Sequence, residues 1–317
     1  MTLKVAVIGE CMIELTENNG SIKRGFGGDT LNTAVYLKRA NPELTVSYVT
    51  ALGTDAMSQQ MVDSWSSEGV DTHLVQRMSD KLPGLYMIET DAHGERKFHY
   101  WRNDAAARFW LQTTQADEIC RELAGFDYIY LSGISLAILS AADRTALIAR
   151  IAECRAQGVK VAFDNNYRPR LWESTAAAQE TYRSMLTQTD LAFLTLDDEF
   201  ALWGDTEVSQ TLARTQALGV AEIVVKRGSE ACLIVSGQNQ CEVDALRIDP
   251  THIIDTTAAG DSFSAGYLSR RLAGLPQESA ASYAHLLAGT VIQHRGAVIP
   301  ASAMPVTDAD DEFACAS

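Results

Sequence analysis

In the stretch Asp255-Thr256-Thr257-Ala258-Ala259-Gly260-Asp261-Ser262-Phe263-Ser264-Ala265-Gly266, small residues run into one aspartate where an amphipathic helix begins. A helix start leaves backbone N–H groups with no acceptor inside the helix, and the helix dipole adds positive charge there, so such an end attracts anions. Asp261 places a carboxylate beside an expected negative ligand. A purely structural protein gains nothing from that repulsion. An enzyme that transfers a phosphoryl group to a hydroxyl gains a base at the point of attack. A bare Ala/Gly run before a helix is common; the full string ending in an acid is more specific. If position 258 required a positive φ, alanine would cost about 1 kcal/mol. Ala258 is therefore expected at negative φ with its N–H presented.

Upstream of this stretch, strands and helices alternate. Apolar runs at Val5–Gly9, Val46–Leu52, Tyr128–Ser132, Val159–Asp164, Leu191–Leu194 and Glu222–Lys226 read as strands. Helical periodicity marks Thr30–Ala40, Met57–Glu68, Ala142–Gln157 and Ala176–Leu186, with two more helices at about Asp261–Leu272 and Gln277–His294. This order predicts an α/β fold with a mostly parallel sheet flanked by helices. One region breaks the rhythm. Leu85–Thr90, the turn Asp91–Gly94 and Glu95–Trp101 read as a β-hairpin, with another β piece near Met12–Arg24. These predict a small sheet standing off the main body. In strand geometry Phe98, Tyr100 and Arg102 share a face. That face covers a ligand, meets a partner, or packs on its own domain. The expected organisation is one domain over residues 1–317, with a lid from about 10–25 and 84–102. The tail Thr307–Ser317 is expected to fray.

The chain has 317 residues, 46% of them hydrophobic, enough for a substantial core. A formal charge of −15 argues against nucleic acid, whose phosphates need clustered Lys and Arg. The run Met1–Gly9 reads as a strand and not a signal peptide, and no stretch approaches the ~18 apolar residues of a membrane helix. The six cysteines are scattered without a CxxC, as expected of reduced thiols. A cytoplasmic protein with no membrane partner is expected. The six histidines show no transition-metal spacing.

Other constellations surround the first. Gly25-Phe26-Gly27-Gly28-Asp29-Thr30-Leu31-Asn32 opens a helix; Gly28 lets a ligand approach the backbone, and Asp29 and Asn32 offer partners for hydroxyls. A plain capped helix is the alternative. The spacing is not the dinucleotide fingerprint, which removes an NAD-dependent dehydrogenase. Asp164–Trp172 follows an apolar strand, where open α/β sheets bind ligands. Within it Arg168 can clamp a carboxylate or phosphate and Asn166 can donate to a phosphate oxygen; a solvated loop is the alternative. Lys226-Arg227-Gly228-Ser229-Glu230-Ala231 is a turn that lies over a nucleotide or merely joins two strands. Leu196-Asp197-Asp198-Glu199 carries acids that hold waters on a hard divalent cation or complement a helix dipole.

Read together, Gly27–Ala34 and Asp255–Asp261 resemble the two signatures of the ribokinase-like (PfkB) carbohydrate kinases. The resemblance covers nearly the whole chain, projecting lid included. Within the family, Gly9–Leu15, Pro83–Tyr86, Tyr100–Arg102 and Asn166–Pro169 look most similar to members that phosphorylate 2-keto-3-deoxygluconate. The resemblance implies ATP as co-substrate with Mg²⁺, and transfer to the primary hydroxyl of a sugar acid. It implies Asp261 as base and Ala258, Ala259 and Gly260 as an anion hole that also binds ATP. Asn166, Lys226, Arg227, Gly228, Ser229, Glu230 and Ala231 are then expected to bind ATP. Gly28, Asp29, Asn32, Tyr86, Tyr100, Arg102, Arg168 and Asp261 are expected to bind the sugar. Ala258 departs from the family's usual glycine. Leu196 replaces the Asn of its NxxE motif, where Glu199 would be a water-mediated magnesium residue. Arg102 and Arg168 favour an anionic substrate over a neutral sugar such as fructose or ribose. A non-catalytic sugar or nucleotide sensor is the reading from another class. The apolar side of the lid suggests a homodimer, or a higher homo-oligomer, through the hairpins.

Overall fold

The computed structural model describes residues 2–18, 21–90 and 96–306. The hairpin turn expected at Asp91–Gly94 and the tail Thr307–Ser317 lie outside them. From β1 (Lys4–Ile8) the chain makes two strands of a separate sheet, β2 (Met12–Asn18) and β3 (Ser21–Gly27), then enters α1 (Asp29–Ala40). It returns as β4 (Thr45–Gly53), passes α2 (Ala56–Ser67) to β5 (Val75–Met78), and adds β6 (Leu85–Thr90) and β7 (Arg96–Trp101) to the separate sheet. After α3 (Ala116–Glu122) come β8 (Tyr128–Ser132), α4 (Gly133–Ala137), α5 (Ala141–Ala156), β9 (Lys160–Asp164), α6 (Thr175–Leu186) and β10 (Leu191–Thr195). Then α7 (Leu196–Trp203) and α8 (Val208–Ala217) lead to β11 (Glu222–Lys226), β12 (Cys232–Ser236) and β13 (Asn239–Val243), and α9 (Ala259–Leu272) and α10 (Gln277–Val291) follow.

The large sheet runs β13-β12-β11-β10-β9-β8-β1-β4-β5. Only the β11–β12 and β12–β13 pairs are antiparallel. Its strands are apolar almost throughout because both faces are covered. Val5 and Val7 enter one core and Ala6 and Ile8 the other; Phe193 and Leu194 of β10 divide the same way. That alternation is the period of two of a strand. The smaller sheet runs β3-β2-β6-β7, with β2 and β6 parallel. The projecting lid of the sequence reading is therefore present, and a strand longer on its first side than expected. Near the C-terminus α9 packs on both α1 and α10. At Gly266 a Cβ would lie 3.1 Å from the Ala284 Cα, so glycine sets how closely α9 approaches α10.

Candidate active site

The parallel strands end along one edge, and a cavity of about 1370 Å³ lies there. Glu10 follows β1, Asp164 ends β9, Asp198 follows β10 and Lys226 ends β11; all four line it. The lid adds Tyr86, Phe98, Tyr100 and Arg102, and Thr256–Asp261 form the opposite wall.

That wall is a locked turn. Asp255 Oδ1 accepts from the Thr257 N–H at 3.0 Å and from its hydroxyl at 2.7 Å, and Asp255 Oδ2 accepts from the Gly296 N–H at 3.0 Å. The chain then reverses at Ala258, whose φ is 61°, and α9 begins. The expectation of a negative φ was wrong. The Asp255 clamp dictates the turn, and alanine accepts the left-handed region at a cost of about 1–2 kcal/mol. The N–H groups of Ala258, Gly260 and Asp261 have no acceptor among the described residues, while that of Ala259 reaches the Thr256 carbonyl at 3.3 Å. Gly260 is not required by the fold: a Cβ there would meet only Lys226 Nζ, at 3.5 Å. The wall thus presents free donors and open space at the positive end of a helix.

Asp261 faces the cavity within this wall. Asn32 Nδ2 donates to its Oδ2 at 2.8 Å. Burial, reinforced by the Asp29 carboxylate, pushes the Asp261 pKa up to about 7. Asp29 is itself raised, chiefly by burial, although Ser132 Oγ and Asn166 Nδ2 each donate to its Oδ2 at 2.6 Å. A carboxyl group poised near neutrality, with its base form opposed by a neighbouring acid, has the properties of a general base.

A model of the pfkB family carbohydrate kinases matches residues 2–304. The chain belongs to this family. It is 61% identical over 308 residues to 2-dehydro-3-deoxygluconokinase of Escherichia coli strain K12, covering 96% of this chain and 100% of that one. It is 59% identical to the protein of that name from Dickeya dadantii strain 3937, over 96% of this chain and 99% of the relative. In fold it resembles the crystal structure of a PfkB protein from Polaromonas sp. JS666, with a TM-score of 0.81, 24% identity, and coverage of 92% and 96%.

In this PfkB kinase the expected residues fall into three groups. Gly28, Asp29, Asn32, Tyr86, Tyr100, Arg102, Asn166, Arg168, Lys226 and Ala258–Asp261 all line the cavity. Several of them are already engaged. The Arg102 guanidinium, buried, donates to the buried Glu10 carboxylate, so its charge is balanced before any ligand arrives. Burial outweighs Arg102 and raises the Glu10 pKa. Lys226 Nζ donates to Asp164 Oδ2 at 2.7 Å and to Ser264 Oγ at 3.2 Å. The Asn166 amide is committed to Asp29 rather than held free for a phosphate. Gly28 is required by the chain itself, since a Cβ there would lie 2.2 Å from the Glu10 carbonyl oxygen. Arg168 is half exposed; its Nη1 donates to the Tyr167 carbonyl at 2.8 Å and lies 3.4 Å from Asp198. Tyr86, Phe98 and Tyr100 form a ladder of rings with centroids 5.9 to 6.4 Å apart, and the Tyr86 hydroxyl donates to Glu14.

Arg227, Gly228, Ser229, Glu230 and Ala231 form the second group. They are absent from the cavity wall; the turn closes on itself through Arg227 Nε donating to the Ala231 carbonyl at 2.6 Å. Glu199 stands alone in the third. It is fully buried below the cavity, where it accepts from Arg214 at 2.8 Å and Asn165 at 3.0 Å. Asp198, next to it, is the acid that lines the cavity, with a pKa raised mainly by burial. Among the described residues no group of three His, Cys, Asp or Glu is arranged to hold a metal. Glu10 and Asp164 were given no role in the sequence reading. Their signal was position: Asp164 is the acid that ends one apolar parallel strand and Glu10 lies two residues past another.

Proposed function

We propose that this chain phosphorylates 2-dehydro-3-deoxygluconate on its primary hydroxyl, with ATP as donor. The observation that carries the reading is Asp261, its pKa pushed up to about 7, beside free N–H donors at the start of α9. The names of the relatives at 59–61% identity support the substrate. Asp261 takes the proton of the attacking hydroxyl. That oxygen bonds to the γ-phosphorus while the bond from phosphorus to the bridging oxygen breaks, and ADP leaves. The donors of Ala258 and Gly260 stabilise charge on the transferring oxygens. Arg168 and the free edge of Arg102 hold the sugar carboxylate. Lys226, on the cavity wall, lies towards the nucleotide, and the turn Arg227–Ala231, outside that wall, would meet only a part of ATP that extends beyond it. Magnesium, which keeps several waters and needs few carboxylates, would arrive with the phosphates and meet Asp198; Glu199, committed to Arg214, would act on it only through the network. It would supply positive charge that offsets that of the phosphates. The lid excludes water from the transfer and joins two copies of the chain. Among the described residues no helix is long and apolar enough to cross a membrane; we place the protein in the cytoplasm.

The test is ADP release with a panel of sugars. Turnover should be high with 2-dehydro-3-deoxygluconate and weak with fructose or ribose. One observation favours the second reading, a neutral-sugar kinase: Arg102 is already paired with Glu10. Arg102→Ala separates the two. It should raise KM for the sugar acid at least about tenfold; an unchanged KM removes the acid from the reading.

A further inference from the structure

Two consecutive residues of α1 grip Asp261. Asn32 Nδ2 donates to its carboxylate Oδ2 at 2.8 Å, and Thr33 Oγ1 reaches its backbone carbonyl at 3.4 Å. Asn32 is only 4% exposed. Its other amide atom, Oδ1, is sealed from solvent with no hydrogen-bond partner among the described residues. With Asp261 ionised, as its role as a base requires, turning the amide round would set that oxygen against a carboxylate, two acceptors with no proton between them. The bond to Asp261 therefore fixes the amide, and the oxygen is left unsatisfied at a cost to stability. Asn32 was read from sequence as a partner for sugar hydroxyls. Its accepting atom is not open to the cavity.

We propose that Asn32 is a positioning residue for Asp261: it occupies Oδ2 and leaves Oδ1 to receive the proton of the attacking hydroxyl. This rests on the reading of Asp261 as the base and deepens it. The first turn of α1 then acts on the base in two opposed ways. Asp29 opposes its ionisation and Asn32 supports it. The other charged groups that act on Asp261 are Asp164 at the end of β9, which opposes ionisation, and Lys226 at the end of β11, which favours it. The Asp261 charge is also felt by the phenols of Tyr36 on α1 and Tyr130 on β8, both pushed up mainly by burial.

The experiment is kcat/KM against pH for Asn32→Leu and Asn32→Ala, with melting temperatures and separate KM values for ATP and sugar acid. Loss of the donor should move the acid limb up by about one pH unit. At pH 9, where the base is ionised regardless, kcat should stay at least about tenfold below the unmodified protein, because ionisation does not restore orientation. KM for ATP should stay within about twofold. An acid limb in its original place, with kcat restored and only the sugar KM raised, would overturn the proposal and return Asn32 to the sugar. Should the leucine variant not fold, Asn32→Ser, whose hydroxyl is too short to reach Asp261, carries the same readout. Asp261→Asn is the control: turnover surviving there refutes the base assignment itself, a result distinct from any failure at Asn32.

Discussion

At Ala258 the backbone takes a conformation that alanine resists, and part of the cause is remote: Gly296 donates to Asp255 across 41 residues. The half of the clamp between Asp255 and Thr257 is local, but the half from Gly296 leaves no pattern around Ala258, which is why the φ was not legible in the string Asp255–Asp261. Ala258→Gly should relieve the strain and raise stability by up to about 1 kcal/mol, read from urea denaturation. Asp261 carries a larger and opposite compromise. Its carboxyl pKa rises from 3.8 to about 7 on folding, so the folded state holds the proton more tightly than the unfolded one. Its ionisation therefore costs stability, increasingly as pH rises from about 4 to about 7. Asp261→Asn should melt higher than the unmodified protein at pH 8 and at nearly the same temperature at pH 4. The same variant should lose kcat by about a thousandfold or more. With the unmodified enzyme, kcat/KM should fall about tenfold for each unit as pH drops below about 7.

Helices and strands were the most legible part of the chain, because a buried face imposes its period directly on the sequence. α1, α2, α5 and α6 begin and end within a residue or so of their apolar periodicity. The starts of α1 and α9 were read correctly as elements, but the pairings made by the polar side chains around them were not. Asn166 was expected to face a phosphate and instead donates to Asp29, which is 137 residues away in sequence. Arg102 was expected to bind the sugar, and its pairing with Glu10 was not foreseen. Polar pairing across a sheet edge depends on topology, and periodicity carries no trace of it. Between elements, the tightest constraint is at Gly266, where α9 meets the Ala284 backbone of α10. Gly266→Val should push the helices apart and cost about 1–3 kcal/mol, measured by chemical denaturation.

As a whole the molecule presents an aromatic and aliphatic lid surface to solvent: Ile22 and Trp101 are each more than half exposed, on the face of the small sheet opposite to Tyr100. Such a face should pair with its copy. Light scattering should give a dimer or larger, and Ile22→Asp with Trp101→Asp should shift it towards monomer. The arrangement of the large sheet has another consequence, in the order of assembly. β1 is synthesised before both of its neighbours, yet it lies between β4 and β8, with Val5 opposite both Val46 and Tyr128. The nascent chain must therefore shelter an apolar ribbon with one naked edge until Tyr128–Ser132 has emerged. Co-translational folding of this protein is gated at its centre rather than built outward from its beginning.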